Sequence, residues 1–504
     1  MPEYLAPGVY IEEIEIGAKP IEGVSTSTAG FLGQTERGPT APRLVTSFDA
    51  FQWIYGGFIE NSYLAYAVQG FFANGGRRCF IGRIVAMGAT GASAPLTASG
   101  ENSQPISVMA IGPGPWGNRV RVKVEDAALQ TPSESDLFKL TVEYLKRDGD
   151  AKPAVSEVYD NLSINPASSD YYKKRVNSAS NLITLQHADN SEARPVNQDI
   201  SLEGGGESQE TIDADDYKGE NADPLERTGL SAFESIDEIS MVCIPDENEI
   251  QPQPQSPVRD ALKVHCETMK DRFAILQSSR SPGNVGALIK PVDSKYAAFY
   301  YPWIKIQDPV TNSLKSIPPG GHIAGVYARV DQERGVHKAP ANEVLRGVSD
   351  LEVKISKGDQ DILNPRNINC IRAFPGRGIR IWGARTTSSD PLWKYVNVRR
   401  LFLFLEESID EGTQWAVFEP NDEKLWARVK QSISQFLTRV WRDGALMGTT
   451  QEEAFFVRCD RTTMTQDDID NGRLIVLIGV APVKPAEFVI FRIAQVARGS
   501  ELSE

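Results

Sequence analysis

Apolar residues recur along this chain with two different periods. The runs RRCFIGRIV, ISMVCIP, FAILQ and AAFYYPWIKI are apolar at nearly every position, the pattern of strands covered on both faces. IRIWGART continues the series, and VSTSTAGFLGQTERGP reads as a strand and a turn. Between these runs, NSYLAYAVQGFFANGG and VRDALKVHCETMKDR have helical spacing, and the first ends at Gly75-Gly76, a helix stop signal. Strand, helix, strand order predicts an α/β layer.

Two other regions differ. After GATGASAPLTASGENSQP, small and polar like a linker, residues from about 105 to 228 turn to strict alternation in RVRVKV and LFKLTVEYL, as in half-buried strands. The acidic stretch HADNSEARPVNQDISLEGGGESQETIDADDYKGENADP is nearly free of apolar residues and predicts a long exposed loop. Late in the chain, VRRLFLFLEESIDEG places Leu401, Phe404, Leu405, Ser408 and Ile409 at near-helical spacing. NDEKLWARVKQSISQFLTRVWRDGAL predicts a second helix, with Asn421 or Asp422 as N-cap and Gly444 as stop. Its apolar face is Leu425, Val429, Phe436 and Val440. On the opposite face Lys424, Arg428, Gln431, Gln435, Arg439 and Arg442 recur at steps of three and four, a basic stripe without a carboxylate. EAFFVRCD and RLIVLIGVAPV then read as strands.

Both ends carry strand-like segments. Val9 to Ile16 is rich in β-branched residues and bracketed by Pro7-Gly8 and Gly17, with a slip at Glu12-Glu13 that fits a bulge. PAEFVIFRIAQ carries Phe488, Val489, Ile490, Phe491 and Ile493. A terminal strand needs a sheet to join, and that sheet need not belong to the same chain.

The bulk numbers narrow the function. The chain has 504 residues, 41% hydrophobic and 24% charged, with a net charge of -14. This balance argues against a general nucleic-acid coat, which needs net basic surface. No apolar run approaches the ~20 residues that cross a bilayer, so no direct membrane insertion is expected. The N-terminus lacks the pattern of a secretory signal. Five well-separated cysteines, Cys79, Cys243, Cys266, Cys370 and Cys459, form no CxxC pair and fit free thiols in a reducing compartment.

Motifs of catalysis are sparse. GPGPWG matches GxGxxG at Gly112, Gly114 and Gly117, but its prolines and the strand-like NRVRVKV after it predict a turn, because a dinucleotide fingerprint must open a helix. There is no P-loop and no HExxH. His187, His265, His322 and His337 sit in unlike contexts, and TIDADDYKGE lacks EF-hand spacing. Sequence order does not decide for or against a Ser-His-Asp arrangement, though no GxSxG elbow accompanies one. The expectation is a non-enzyme with no catalytic, cofactor-binding or metal-binding residues. The alternatives are an intracellular α/β hydrolase with inconspicuous catalytic groups, or another structural filament or capsid-like shell.

Several stretches, in order, resemble the tail sheath proteins of contractile phage tails and phage-tail-like contractile injection systems. They include YLAPGVYIEEI, TAGFLGQTERGP, FFANGGRRCFIGRI, PGPWGNRVRV, TGLSAFESIDEISMVCIPD, YVNVRRLFLFLEESI, WAVFEPNDEKLW, GALMG, EAFFVRCD and GVAPVKPAEFVIFRI. The resemblance implies a multi-domain α/β (α+β) fold. Its inner core would have subtilisin-like topology, joined by a C-terminal α/β domain, extended terminal arms and an outer β-rich insertion. The expected layout is an N-terminal arm at 1–22, a core domain at 23–95 and 229–384, an outer insertion with the acidic loop at 96–228, a C-terminal domain at 385–485 and a C-terminal arm at 486–504. The resemblance implies hexameric rings stacked helically around an inner tube, contracting to drive the tube through a target envelope. Baseplate and terminator or cap proteins would be further partners, and nucleic acid would not. The particle would be a phage tail or a relative, assembled in the cytoplasm of the producing cell. The arms would add strands to neighbouring subunits, through Val9, Tyr10, Ile11 and Ile14 at one end and Phe488, Val489, Ile490 and Phe491 at the other. Lys424, Arg428, Arg439 and Arg442 are the candidate tube-facing residues.

Overall fold

The strands Phe273–Gln277 and Ala297–Tyr301 are buried at every residue, as their unbroken apolar runs predict for strands covered on both sides. A computed structural model describes residues 20–98, 105–129, 137–147, 149–187, 194–220, 223, 226–250, 256–280 and 283–491. The N-terminal candidates Val9, Tyr10, Ile11 and Ile14 lie outside the described residues.

Among these, the two buried strands are central in a nine-stranded sheet. Its order is Glu343–Val344, Gly378–Ile381, Ile368–Phe374, Ala297–Tyr301, Phe273–Gln277, Met241–Cys243, Ala29–Gly33, Cys79–Arg83 and Arg43–Val45. The six strands from Ile368–Phe374 to Cys79–Arg83 run parallel, and antiparallel strands close both flanks. Helices Leu64–Ala73 and Gly320–Arg334 cross with backbones in close approach. A Cβ on Gly321 would lie 2.2 Å from the Ala67 carbonyl oxygen, and one on Gly325 would lie 2.4 Å from that of Phe71. Gly70 leaves the matching space for the His322 ring. Helix Pro257–Met269 turns Val258, Leu262 and Cys266 into the same core.

The region between Ala92 and Leu202 has its own hydrophobic core. There the strands Gln198–Ser201, Val120–Asp126, Leu137–Tyr144 and Val155–Ser163 form an antiparallel sheet. Val120, Val122 and Val124 face in while Arg121 and Lys123 face out, the period-2 pattern of the sequence. The expectation of a long exposed acidic loop is corrected here. Gln198–Ser201 is a strand, and Ala214–Lys218 is a short helix whose N-terminus is closed by a reciprocal capping box between Asp213 and Asp216. Tyr217 of that helix is fully buried and joins the core of the parallel sheet, with Ala214. One aromatic in a polar stretch is enough to dock it, and the carboxylates stay outside as caps and solvated groups.

A third core gathers helices Val396–Thr413 and Glu423–Arg442 with the two-stranded antiparallel sheet Phe455–Arg458 and Leu477–Val480. Asp422 is the N-cap, accepting from the Leu425 amide, and Gly444 carries a φ of 81° just past the end. Ile21 is inserted into this core from the far end of the chain. The sequence predicts a strand in PAEFVIFRIAQ, but its described part, to Phe491, has no strand partner and runs without ladder bonds. Strand structure requires a neighbouring backbone, and the single chain offers none there.

Candidate interaction surfaces

The two ends of the described chain are rooted in buried contacts. At the N-terminal root, Ile21 is fully buried against Gly412, where a Cβ would come within 2.6 Å of it. Arg439 donates to the Ile21 carbonyl. The Val24 amide donates to Ser408 Oγ at 3.1 Å and Thr26 Oγ1 to Asp331 Oδ2 at 2.7 Å. Asp331 also takes two bonds from Arg400, at 2.9 and 2.6 Å. That buried pair joins helix Val396–Thr413 to helix Gly320–Arg334.

At the C-terminal root, the chain passes Ala481 and Val483, which bond to Ala454 and Ala445, and reaches Glu487. Arg385 holds its carboxylate in a two-pronged bond, Nε at 2.7 Å and Nη2 at 2.8 Å, the strongest geometry for this pair. Asn364 Nδ2 at 3.0 Å and Tyr395 Oη at 3.1 Å also donate, and Lys394 stands 3.4 Å away. Burial alone would raise the Glu487 pKa, but the bonds from Arg385 and Asn364 and the charges of Arg385 and Lys394 hold it down at about 2. Beyond this point Phe488, Val489, Ile490 and Phe491 are 69%, 70%, 80% and 83% exposed. Four large apolar side chains in a row in water are costly by the ~25 cal/mol per Å² of apolar surface, and such a patch marks an interaction site. The two-stranded sheet nearby also exposes Phe456 and Leu477 on strands with no further partner among the described residues.

The basic stripe on Glu423–Arg442 is exposed at all six positions, from Lys424 to Arg442. Its members are not equivalent. Arg428 pairs with Glu419 at 3.1 Å and stacks over Trp415. It thereby holds the loop that carries Phe418, which is fully exposed with a left-handed φ of 64°, an unfavourable backbone for a bulky residue. Arg439 is tied to Ile21. Of the four tube-facing candidates, Lys424 and Arg442 make no ion pair among the described residues.

The groups with chemical potential elsewhere serve structure. Asp246, at the carboxyl end of the parallel sheet, accepts from Ser62 Oγ at 2.7 Å and the Tyr63 amide at 2.6 Å; burial raises its pKa to about 6. The N-terminus of helix Gly320–Arg334 is closed by Gln277 Oε1, which accepts from the Gly320 amide at 2.8 Å. His322 is pushed down to about 4 by burial, and His265 to about 4 by burial and the neighbouring Arg272. The GPGPWG segment is a turn: Pro115–Arg119 is a single 3-10 element before the strand, and buried Arg83 bonds the Gly38 and Pro113 carbonyls at 3.0 and 2.9 Å. Among the described residues no cluster of His, Cys, Asp and Glu has metal-site geometry, and no helix is long and apolar enough to cross a membrane. The five cysteines are buried free thiols.

Sequence reading missed Glu487, Arg385 and Ile21. The acid in the apolar KPAEFVIFR was the available signal, since a lone carboxylate beside so many apolar residues needs a partner.

Two family models match the chain in tandem, the phage tail sheath protein central domain over residues 211–387 and the phage tail sheath C-terminal domain over residues 388–495. Together they span more than half of it. Chains of solved contractile assemblies share this fold along nearly their whole length. The anti-feeding prophage baseplate chain matches with a TM-score of 0.60 at 25% identity, over 98% of this chain and 100% of that one. The sheath complex of an extracellular contractile injection system in its contracted state matches with a TM-score of 0.61 at 23% identity, over 98% and 99%. A putative prophage major tail sheath protein of Pseudomonas aeruginosa is 27% identical over 53% of this chain and 69% of its own length. The tail sheath protein of Vibrio phage KVP40 is 27% identical over 44% of this chain, a match that spans about a third (32%) of that longer relative. The chain belongs to the contractile tail sheath family. It is a structural sheath subunit of a phage tail or tail-like particle.

Proposed function

We propose that this chain polymerises as stacked hexameric rings around an inner tube, and that contraction of the resulting sheath drives the tube through a target envelope. The observation that carries the reading is the C-terminal segment. It leaves a buried anchor at Glu487 and offers Phe488, Val489, Ile490 and Phe491 to water. A neighbour's open two-stranded sheet would bury them by strand addition. A head-to-tail contact of that kind builds helical filaments instead of closing on itself. The N-terminal segment, with Val9, Tyr10, Ile11 and Ile14, serves as the second linking arm. Links of this type keep subunits joined while rigid bodies rotate and slide.

In this reading the inner core has subtilisin-like topology, the 96–228 region lies outermost, and the basic helix faces the tube. Lys424 and Arg442 make the screened, reversible contacts with the tube, while Arg428 and Arg439 shape the surface from behind. Baseplate and terminator proteins cap the polymer, which assembles in the cytoplasm of the producing cell without a nucleotide, cofactor or membrane insertion. Negative-stain electron microscopy of the full chain beside one lacking residues 1–20 tests the assembly. Long hollow cylinders from the full chain, lost in the truncation, are expected. Small discrete particles from both, even with the tube protein and baseplate supplied, would overturn the reading.

A further inference from the structure

Two partners of Glu487, Arg385 and Asn364, come from the wrong side for a simple end-cap of the C-terminal region, while Tyr395, the N-cap of helix Val396–Thr413, donates from that region itself. Arg385 follows the Gly378–Ile381 strand and Asn364 ends helix Lys357–Leu363. Both belong to the unit built on the parallel sheet, while residues 481–483 bond to Ala454 and Ala445 of the C-terminal unit. Asn397 Nδ2 adds bonds to the Val483 carbonyl at 3.2 Å and the His337 carbonyl at 2.8 Å. Within seven residues the chain is thus fastened first to one unit and then to the other. The Arg385 side chain is only 8% exposed and is itself fixed by a bond to the Asn364 carbonyl at 2.7 Å. An anchor held from behind in this way transmits direction as well as attachment.

We propose that Glu487 is a positioning residue, the fixed pivot at which the C-terminal arm leaves its own subunit, and that the Arg385 clamp aims Phe488–Phe491 at a second copy of this chain. This rests on the reading of that segment as an inter-subunit arm. The clamp refers the arm's starting point to the rigid parallel-sheet unit. Rotation of that unit therefore carries the root with it, and bending falls on the residues beyond 487. A loose root would leave the same apolar residues available but would make their capture dearer, because more backbone would have to be ordered at each contact.

The test uses the full chain, Glu487→Ala, Glu487→Gln and a chain ending at Glu487. The native cysteines are buried, so a nitroxide on Val489→Cys reports on the arm alone. Two quantities are read: label mobility in the unassembled subunit, and the critical concentration for tubes. Glu487→Ala is expected to raise mobility and to raise the critical concentration about tenfold, the equivalent of ordering one more backbone residue. Glu487→Gln, which keeps the shape and some of the bonds but not the charge, should fall between it and the native chain, and it decides the matter if the alanine variant fails to fold. The chain ending at Glu487 should form no tubes. If that truncated chain assembles normally, the arm reading fails and the pivot with it. If truncation abolishes tubes while both Glu487 variants assemble at the native concentration, the arm stands and the pivot is wrong. A change in assembly without a change in mobility also overturns the pivot.

Discussion

The parallel-sheet unit and the C-terminal unit solve the same burial problem in opposite ways. The first is complete: its central strands are covered on both faces, its flanks end in antiparallel strands, and its helix crossing is tight to the backbone. The second stops short. Its sheet has two strands, Phe456 and Leu477 lie open, and the chain leaves it with four exposed apolar residues. A two-stranded sheet is marginal by itself and here leans on the two helices. On the proposed reading the difference is a division of labour, in which one unit is a rigid body and the other is an interface awaiting its remaining strands.

Substitutions at the two units should therefore differ in kind. The largest effect belongs to the closed unit. Gly321→Val places a side chain into the Ala67 backbone and should cost about 3 kcal/mol or more, read as a lowered melting temperature or loss of soluble protein. A tolerated valine would mean that the helix crossing is looser than described. Next comes the open unit: Phe488→Asp with Ile490→Asp should abolish tubes while monomer stability stays within about 0.5 kcal/mol. A parallel loss of monomer stability would make these residues part of the subunit's own fold.

Within the basic helix the comparison can be sharpened. Lys424→Glu with Arg442→Glu should weaken co-assembly with the tube, most at low salt, and leave the monomer unchanged. Arg428→Glu would face Glu419 and lose its place over Trp415, so it should also lower monomer stability, by about 1 kcal/mol or less. Equal monomer stabilities would erase the distinction drawn between the two pairs.

The smallest effect lies where the units meet, in a cavity of about 490 Å³ lined by Thr26, Asp237, Asp271, Arg400, Glu407 and Glu411 among others. Partial burial, and then Asp271, Glu411, Asp410 and Asp237, raise the Glu407 pKa from its ordinary 4.5 to about 7. The folded chain thus binds this proton more tightly than the unfolded one. The associated stability is complete below pH 4.5 and is lost as pH rises through about 7. Glu407→Gln should flatten that part of the stability–pH curve and leave the chain more stable than the native one above pH 7. Parallel curves for the two proteins would show that Glu407 does not titrate there.

Much of this was legible in the residues themselves. Helix Glu423–Arg442, its Asp422 cap and Gly444 stop, and the exposed stripe follow from local periodicity, because a side chain's position around a helix depends only on its spacing. The buried strands of the parallel sheet and the alternating strands of the insertion are local in the same sense, and the family resemblance followed from such stretches in order. Tyr217 shows where this ends: its neighbours are polar, and only the parallel sheet's core gives it a place. The anchors are still further from local pattern. Arg439 meets Ile21 across 418 positions, and Arg385 meets Glu487 across 102. Sequence spacing sets which residues must be buried or solvated. Which charge neutralises which, and therefore which arginines remain free to meet a partner, was decided only when the folded backbone brought distant segments within hydrogen-bond reach.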